Sequence, residues 1–304
     1  MTTIQIIVKN NEKTIEKTLK SIIPLEAKVL IANLGCSDST LDICKKFKNT
    51  EIIDFYDANR SKIRNKLSRE INFYLEPWEY IVAGHEEILK TKEICSVQFF
   101  NNDIITKETR IWTNEKFDNP IFETINKDHS NYNPRIILSC KNEKDNRKEN
   151  LIKTAEWLKE NPTISECYYY LACCHLALRD YKKFILYSDQ YLVREKTVNT
   201  SYIMTKYYLS QVYLHNNKIK EAAENALVCV SYYPFMAEFW CLLGDIYYKQ
   251  KKFKKSKSLY ENAIIIGKKR KITDKLPIEI KKYKEYPENM INNIKQILKN
   301  TKIY

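Results

Sequence analysis

Residues 237–263 read AEFWCLLGDIYYKQKKFKKSKSLYENA, and this stretch is one copy of a repeat. Leu243, Tyr247, Phe253 and Ser256 each have an earlier counterpart, at Leu209, Tyr213, Ile219 and Ala222. The offset is the same in every pair, a period of about 34 residues, and a fixed period of this length marks stacked supersecondary units. None of them can bury its apolar stripe alone. A further copy begins near Tyr168, Leu171, Ala172 and His175, with Tyr181 at its turn. Leu171 precedes Leu209 by more than one period, so about four residues are inserted between these copies. The stripes predict two antiparallel helices per unit. Arg147 to Asn161, stopped by Pro162, predicts one more helix ahead of the first unit.

The last copy, with Trp240, Leu243, Gly244, Tyr247, Tyr260 and Ala263, resembles the tetratricopeptide pattern. In that pattern a glycine or alanine lets two helices approach closely and large aromatics fill the remaining gap. The middle copy ends in Pro234 as the pattern expects, but carries Lys206 in place of the Trp and Ser210 in place of the Gly. The first copy has Phe184 where a small residue is usual. The resemblance covers roughly residues 147–270 and implies peptide binding or assembly; bracing of the first domain or dimerisation is the plainer role. His175 and His215 read as helix-face residues.

Ahead of the repeats, strand-like and helix-like segments alternate. The strands are 4–8 (IQIIV), 28–32 (KVLIA), 52–56 (IIDFY) and 80–83. The helices are 12–23, 41–47 and a basic one from Ser61 to Leu75. Such alternation predicts a parallel sheet with ligand loops at the strand C-termini. Four motifs stand in order: Ile7 to Glu12, Gly35-Cys36-Ser37-Asp38-Ser39-Thr40, Ser61 to Asn65, and Arg110 with Pro120 to Ile125.

This stretch resembles family 2 glycosyltransferases of the GT-A fold, in particular those fused to tetratricopeptide repeats. The resemblance implies a Rossmann-like mixed sheet and a nucleotide-sugar site formed by Val8, Lys9, Asn10, Glu12, Asn33, Asp38, Arg64 and Gly84. It implies Glu123 as the base of an inverting transfer, since such a reaction needs a carboxylate opposite the leaving diphosphate. It also implies a divalent metal, manganese or magnesium. The family's aspartate-x-aspartate is replaced here by Ala83-Gly84-His85, which leaves His85 and Glu86 as the ligands to expect. Asn33 stands for an expected aspartate, and Phe122 for the histidine before Glu123. Each residue also has a plain structural role: Asp38 as a helix N-cap, Glu86 and Glu87 as acids at a helix start, Arg64 as an ion-pair partner.

The 304 residues are 44% hydrophobic, ample for two cores. The expected division is 1–140 for the glycosyltransferase-like domain, 141–270 for the repeats and 271–304 for a basic helical extension. Residues 251–304 carry 16 Lys and Arg against 5 Asp and Glu, +11 of the total +13. That end suits an anionic surface or simply a solvated helix; no nucleic-acid motif accompanies it. Nine cysteines without a C-x-x-C pair read as reduced thiols of a cytoplasmic protein. No signal peptide and no membrane-spanning run is expected. Three functions fit. One is transfer of a sugar from a nucleotide-sugar donor to a peptide, protein or glycan acceptor held by the repeats. The others are a catalytically degenerate glycosyltransferase-like domain on a repeat-based protein-interaction scaffold, and a scaffold alone.

Overall fold

The structure is a computed structural model. It describes residues 2–101, 104–113, 115–118, 124–125, 132–140, 147–270 and 276–301. The chain divides into two compact units, 1–146 and 147–304. The second takes in residues 276–301, expected as a separate extension.

In the first unit β1 (Thr2–Val8) is buried along its whole length, as a central parallel strand must be. It lies between β2 (Lys28–Asn33) and β4 (Ile71–Leu75), parallel to both, and β3 (Thr50–Asp54) pairs parallel to β2. The sheet continues through β7 (Ile104–Trp112), β6 (Cys95–Asn101), β10 (Tyr132–Cys140) and β5 (Glu79–Ala83), with both parallel and antiparallel neighbours. A small ribbon joins β8 (Phe117–Asp118) to β9 (Thr124–Ile125).

Alternation along β1 and β2 sorts the two faces. Ile4, Ile6, Val8, Val29 and Ile31 pack with α1 (Ile15–Ile22) and α2 (Thr40–Lys45). Ile7, Leu30 and Ala32 pack with Ile63 and Leu67 of α3 (Arg60–Leu67). On α1 the buried residues are Ile15, Thr18, Leu19 and Ile22, one helical stripe.

Two expectations need correction. The basic helix stops at Leu67, and Ile71–Leu75, expected as its end, is the strand beside β1. The segment expected as the fourth parallel strand, Tyr80 to Ala83, is β5, antiparallel to β10 at the far edge. The short α4 (His85–Lys90) follows it.

The second unit stacks α5 (Arg147–Glu160), α6 (Ser165–Ala177), α7 (Tyr181–Arg194), α8 (Thr200–His215), α9 (Ile219–Tyr232), α10 (Ala237–Lys249), α11 (Phe253–Gly267) and α12 (Glu285–Thr301). Helices α6/α7, α8/α9 and α10/α11 form the three hairpins. Their turns follow the sequence repeat. Arg179, Asn217 and Lys251, in corresponding places of the three copies, sit at φ 61°, 61° and 58°. After each, a backbone N–H reaches the carbonyl of the preceding helix's last turn: Asp180 to His175, Lys218 to Tyr213, Lys252 to Tyr247, at 2.8–2.9 Å. These are helix-ending motifs of the left-handed kind. Tyr168 donates to the Pro162 carbonyl at 2.9 Å, and Trp240, in the matching place two units on, donates to the Pro234 carbonyl at 2.7 Å. Helix α5 begins one period ahead of α7, at Arg147 against Tyr181, so it is the second helix of an incomplete unit. Ile291 and Ile294 of α12 close the other end over Tyr260 and Ala263.

Candidate functional site

Strand order β3-β2-β1-β4 reverses direction of growth between β1 and β4. Helix α1, which follows β1, and α3, which leads into β4, pack on opposite faces of the sheet. The crevice at the C-termini of such a strand pair is where α/β sheets bind ligands. The loops that follow β1 and β2 are held together there. Asn10, at φ 55°, accepts from the Ser37 N–H at 2.8 Å. Thr40 Oγ1 accepts from the Asn11 N–H at 2.7 Å. Asp38 accepts from the Glu12 N–H at 3.2 Å and from the Thr40 hydroxyl and N–H at 2.5 and 3.0 Å, and Glu12 accepts from the Ser39 N–H at 3.2 Å. Burial raises the Asp38 carboxyl, but these hydrogen bonds outweigh it and hold its pKa below the ordinary value. Asn33 is buried, accepts from the Cys36 N–H at 2.9 Å and donates to Asp54 at 2.7 Å. The Val8 carbonyl accepts from Leu34 N–H at 3.0 Å, and the Lys9 side chain is exposed.

Arg64 is fully buried and does not face solvent. Its guanidinium donates to the Gln5 carbonyl at 3.1 Å and to Glu76 Oε1 at 3.0 Å, and lies 4.2 Å from the centre of the Tyr74 ring. Arg60 also pairs with Glu76. Arg110 forks onto Glu79 at 2.8 and 2.9 Å, reaches Glu108 at 2.5 Å, and lies 4.4 Å from the same Tyr74 ring. Burial raises the Glu76 carboxyl, but Arg60, Arg64 and Arg110 outweigh it and lower its pKa. Burial pushes Glu79 up to about 7 against the pull of Arg110. Sequence reasoning offers Arg64 as an ion-pair partner but misses Glu76 and Glu79, because it takes β4, which Glu76 follows, as helix. The run Ile71-Asn72-Phe73-Tyr74-Leu75, rich in strand-forming residues, is the available signal.

The structure does not bring His85 and Glu86 to this crevice. His85 Nε2 meets the Ser21 carbonyl at 2.8 Å, in the last turn of α1. Helix α1 starts at the crevice and runs away from it, so about six residues at roughly 1.5 Å of rise put that turn roughly 9 Å down the sheet. Glu86 is exposed and paired with Lys90 at 3.0 Å. Gly84 has φ 89°, and a Cβ on it would stand 2.5 Å from the Arg135 carbonyl of β10, so it serves chain packing. Among the described residues no group of three or more His, Cys, Asp or Glu side chains is placed to hold a metal ion. At the crevice itself Glu76 faces two guanidiniums, a field that disfavours a cation. Among the described residues, those at the crevice therefore do not fit a divalent metal. Glu123 lies outside the described residues. A cavity of about 550 Å³ opens elsewhere, between Leu19, Ile22, Val29 and Phe47, near the N-termini of β2 and β3.

No protein-family model matches the chain, and no curated protein matches it. Solved structures with a similar arrangement include the MamA 41-end structure from Desulfovibrio magneticus RS-1, 17% identical, spanning 51% of this chain and 88% of that one at a TM-score of 0.39. Another is the Sgt2 TPR domain from Aspergillus fumigatus, 16% identical, spanning 46% and 82% at 0.36. A third is BtubC from P. vanneervenii, 14% identical, spanning 40% and 55% at 0.33. Among the described residues no helix is long and apolar enough to cross a membrane.

Proposed function

We propose that this chain is an interaction scaffold in which tetratricopeptide-like hairpins hold a protein partner and a glycosyltransferase-like domain has lost metal-dependent catalysis. The stacked hairpins carry this reading. They keep their turns and caps in step with the sequence repeat, and so build a continuous surface from corresponding positions. The side chains that metal-dependent transfer would use support it too. Arg64 is buried against Glu76, and His85 is spent on the Ser21 carbonyl.

A second reading, transfer from a nucleotide sugar, is favoured by one observation: the strand reversal between β1 and β4 with Asp38 and Asn10 in the flanking loops. A nucleotide would then lie over these loops, with Arg60 near its phosphates.

The two are separated by incubating the full chain with a panel of nucleotide diphosphates and nucleotide sugars, with and without manganese. Melting temperature and released nucleotide diphosphate are read together. A ligand that binds only the native state must raise the melting temperature. The scaffold reading expects no release above the protein-free blank with any donor, and a photocrosslinker placed at Gln211, exposed on α8, that traps a protein. Sustained, protein-dependent release would replace it with the transferase.

A further inference from the structure

On α10, Glu238, Cys241 and Asp245 form one stripe along the helix, at i, i+3 and i+7. The repeat offset carries Cys241 to Tyr207 and Glu238 to Met204, so α8 bears the same stripe. Residues 276–286 of the chain lie across both. Leu276 is 1% exposed, packed among Ile203, Met204 and Tyr207 of α8 and Phe239 and Leu242 of α10. Glu238 is 2% exposed, and its two carboxylate oxygens accept from this segment, Oε1 from the Glu279 N–H and Oε2 from the Tyr283 hydroxyl, each at 2.7 Å. The Tyr207 hydroxyl donates to Glu279 at 2.7 Å. Cys241 Sγ donates to the Lys282 carbonyl at 3.5 Å, and the Tyr286 hydroxyl donates to Asp245 at 2.5 Å.

A buried carboxylate is stable only when its oxygens find donors. Glu238 finds two, a backbone N–H and a hydroxyl, both on a segment that returns from beyond the last hairpin. Lys282 of that segment stands against the stripe, its Nζ 4.0 Å from Asp245. The segment is extended at Ile278–Glu279, makes one 3-10 turn over Ile280–Tyr283 and runs into α12 at Glu285. A backbone N–H, an apolar anchor and opposite charge together hold it on the helical surface.

We infer that residues 276–286 are a built-in ligand of the helical array: they occupy the shared stripe of the second and third hairpins, which accepts a segment of this same chemistry from another molecule only when this strap leaves. The inference deepens the interaction reading and takes its purpose from it. Its test uses the chain's own peptide, so it can fail while that reading stands.

The probe is a fluorescein-labelled peptide of residues 276–287, LPIEIKKYKEYP, added in trans and read by anisotropy. In the full-length chain, Glu279→Pro removes the N–H given to Glu238, and Tyr283→Phe removes the hydroxyl, leaving the stripe intact. The double variant should bind the peptide at least tenfold more tightly than the unaltered chain, and adding Glu238→Ala should abolish that binding. Hydrogen exchange on the unaltered chain gives an independent reading. Amides of 276–286 should exchange through a local opening, at least tenfold faster than those of α10. Exchange of the strap only together with α10, or a folded double variant that takes the peptide no better than the unaltered chain, would overturn the inference.

Discussion

A Cβ atom added to Gly244 would lie 2.7 Å from the ring of Tyr260, which closes the crossing of α10 and α11. The ring is fully buried and its hydroxyl donates to Asp245 at 2.5 Å, so it is held at both ends. Gly244→Leu overpacks this crossing and should cost about 1–3 kcal/mol, read as a lower urea midpoint with an unchanged slope. The neighbouring hairpins solve the same crossing differently. Ser210 stands at the glycine position and donates to the Ala222 carbonyl at 2.7 Å, while in the last hairpin Ser256 donates back to the Gly244 carbonyl at 2.8 Å. A leucine at 244 therefore strikes a bulky ring that the middle hairpin lacks, since Ala226 occupies the corresponding place.

The three hairpin turns place Arg179, Asn217 and Lys251 in the left-handed region, where a Cβ is unfavourable. Lys251 is exposed and makes its turn through backbone alone, so Lys251→Gly should stabilise the chain by roughly 0.5–1 kcal/mol. A melting temperature that falls would show that the lysine side chain contributes more than the backbone strain costs.

What is legible in the sequence follows from how local each signal is. The hairpins can be read because Leu209 and Leu243, Tyr213 and Tyr247 mark the same contacts in adjacent copies. Strands β1, β2 and β3 can be read from short apolar runs. The strand Ile71–Leu75 carries strand-forming residues, but its start is hidden: Ser68-Arg69-Glu70 contains neither Gly nor Pro to announce the break. The helix ends only through the extended backbone of Ser68, ψ 140°. Pairing partners are also non-local, so Tyr80–Ala83 is recognisable as a strand while its place at the far edge is not. Glu238 reads as an ordinary acid in a helix's first turn. Nothing in its neighbourhood announces that Glu279 and Tyr283 return to bury it.

Burial lifts Glu238 from its ordinary value near 4.5 up to about 7, with Glu279 adding repulsion and hydrogen bonds from Glu279 N–H and Tyr283 opposing. Tyr207, Cys241, Lys282 and Asp245 are the further titratable groups around it. The folded state holds the proton more tightly than the unfolded chain. This contribution is complete below about pH 4.5 and is lost as pH rises through 7. At about 1.36 kcal/mol per unit its upper bound is about 3 kcal/mol. Glu238→Gln should flatten the difference in melting temperature between pH 5 and pH 8 relative to the unaltered chain. An unaltered pH dependence would mean that Glu238 does not titrate in this window.

Glu76 is the counter-charge on which the interior of the first unit depends. Its Oε1 serves both Arg60 and Arg64, and Arg64 has no exposed surface. Glu76→Gln keeps the shape and removes the charge. Breaking a buried pair from one side typically costs about 3–5 kcal/mol because the remaining charge is stranded. The loss should appear as a lower denaturant midpoint read by a probe in the first unit. Pairing the change with Arg64→Met should return part of the stability, since it removes the fully buried stranded charge and leaves only the partly exposed Arg60. The same variants test the crevice: if Arg60 and Arg64 are held only for Glu76, nucleotide-induced stabilisation is equal in Glu76→Gln and the unaltered chain. If Arg60, which keeps some exposure, is available to a phosphate, releasing it from Glu76 should raise nucleotide affinity even as the fold weakens. A gain in affinity together with a loss in stability would mark the β1/β4 crevice as an anion site that the chain keeps neutralised with its own carboxylate.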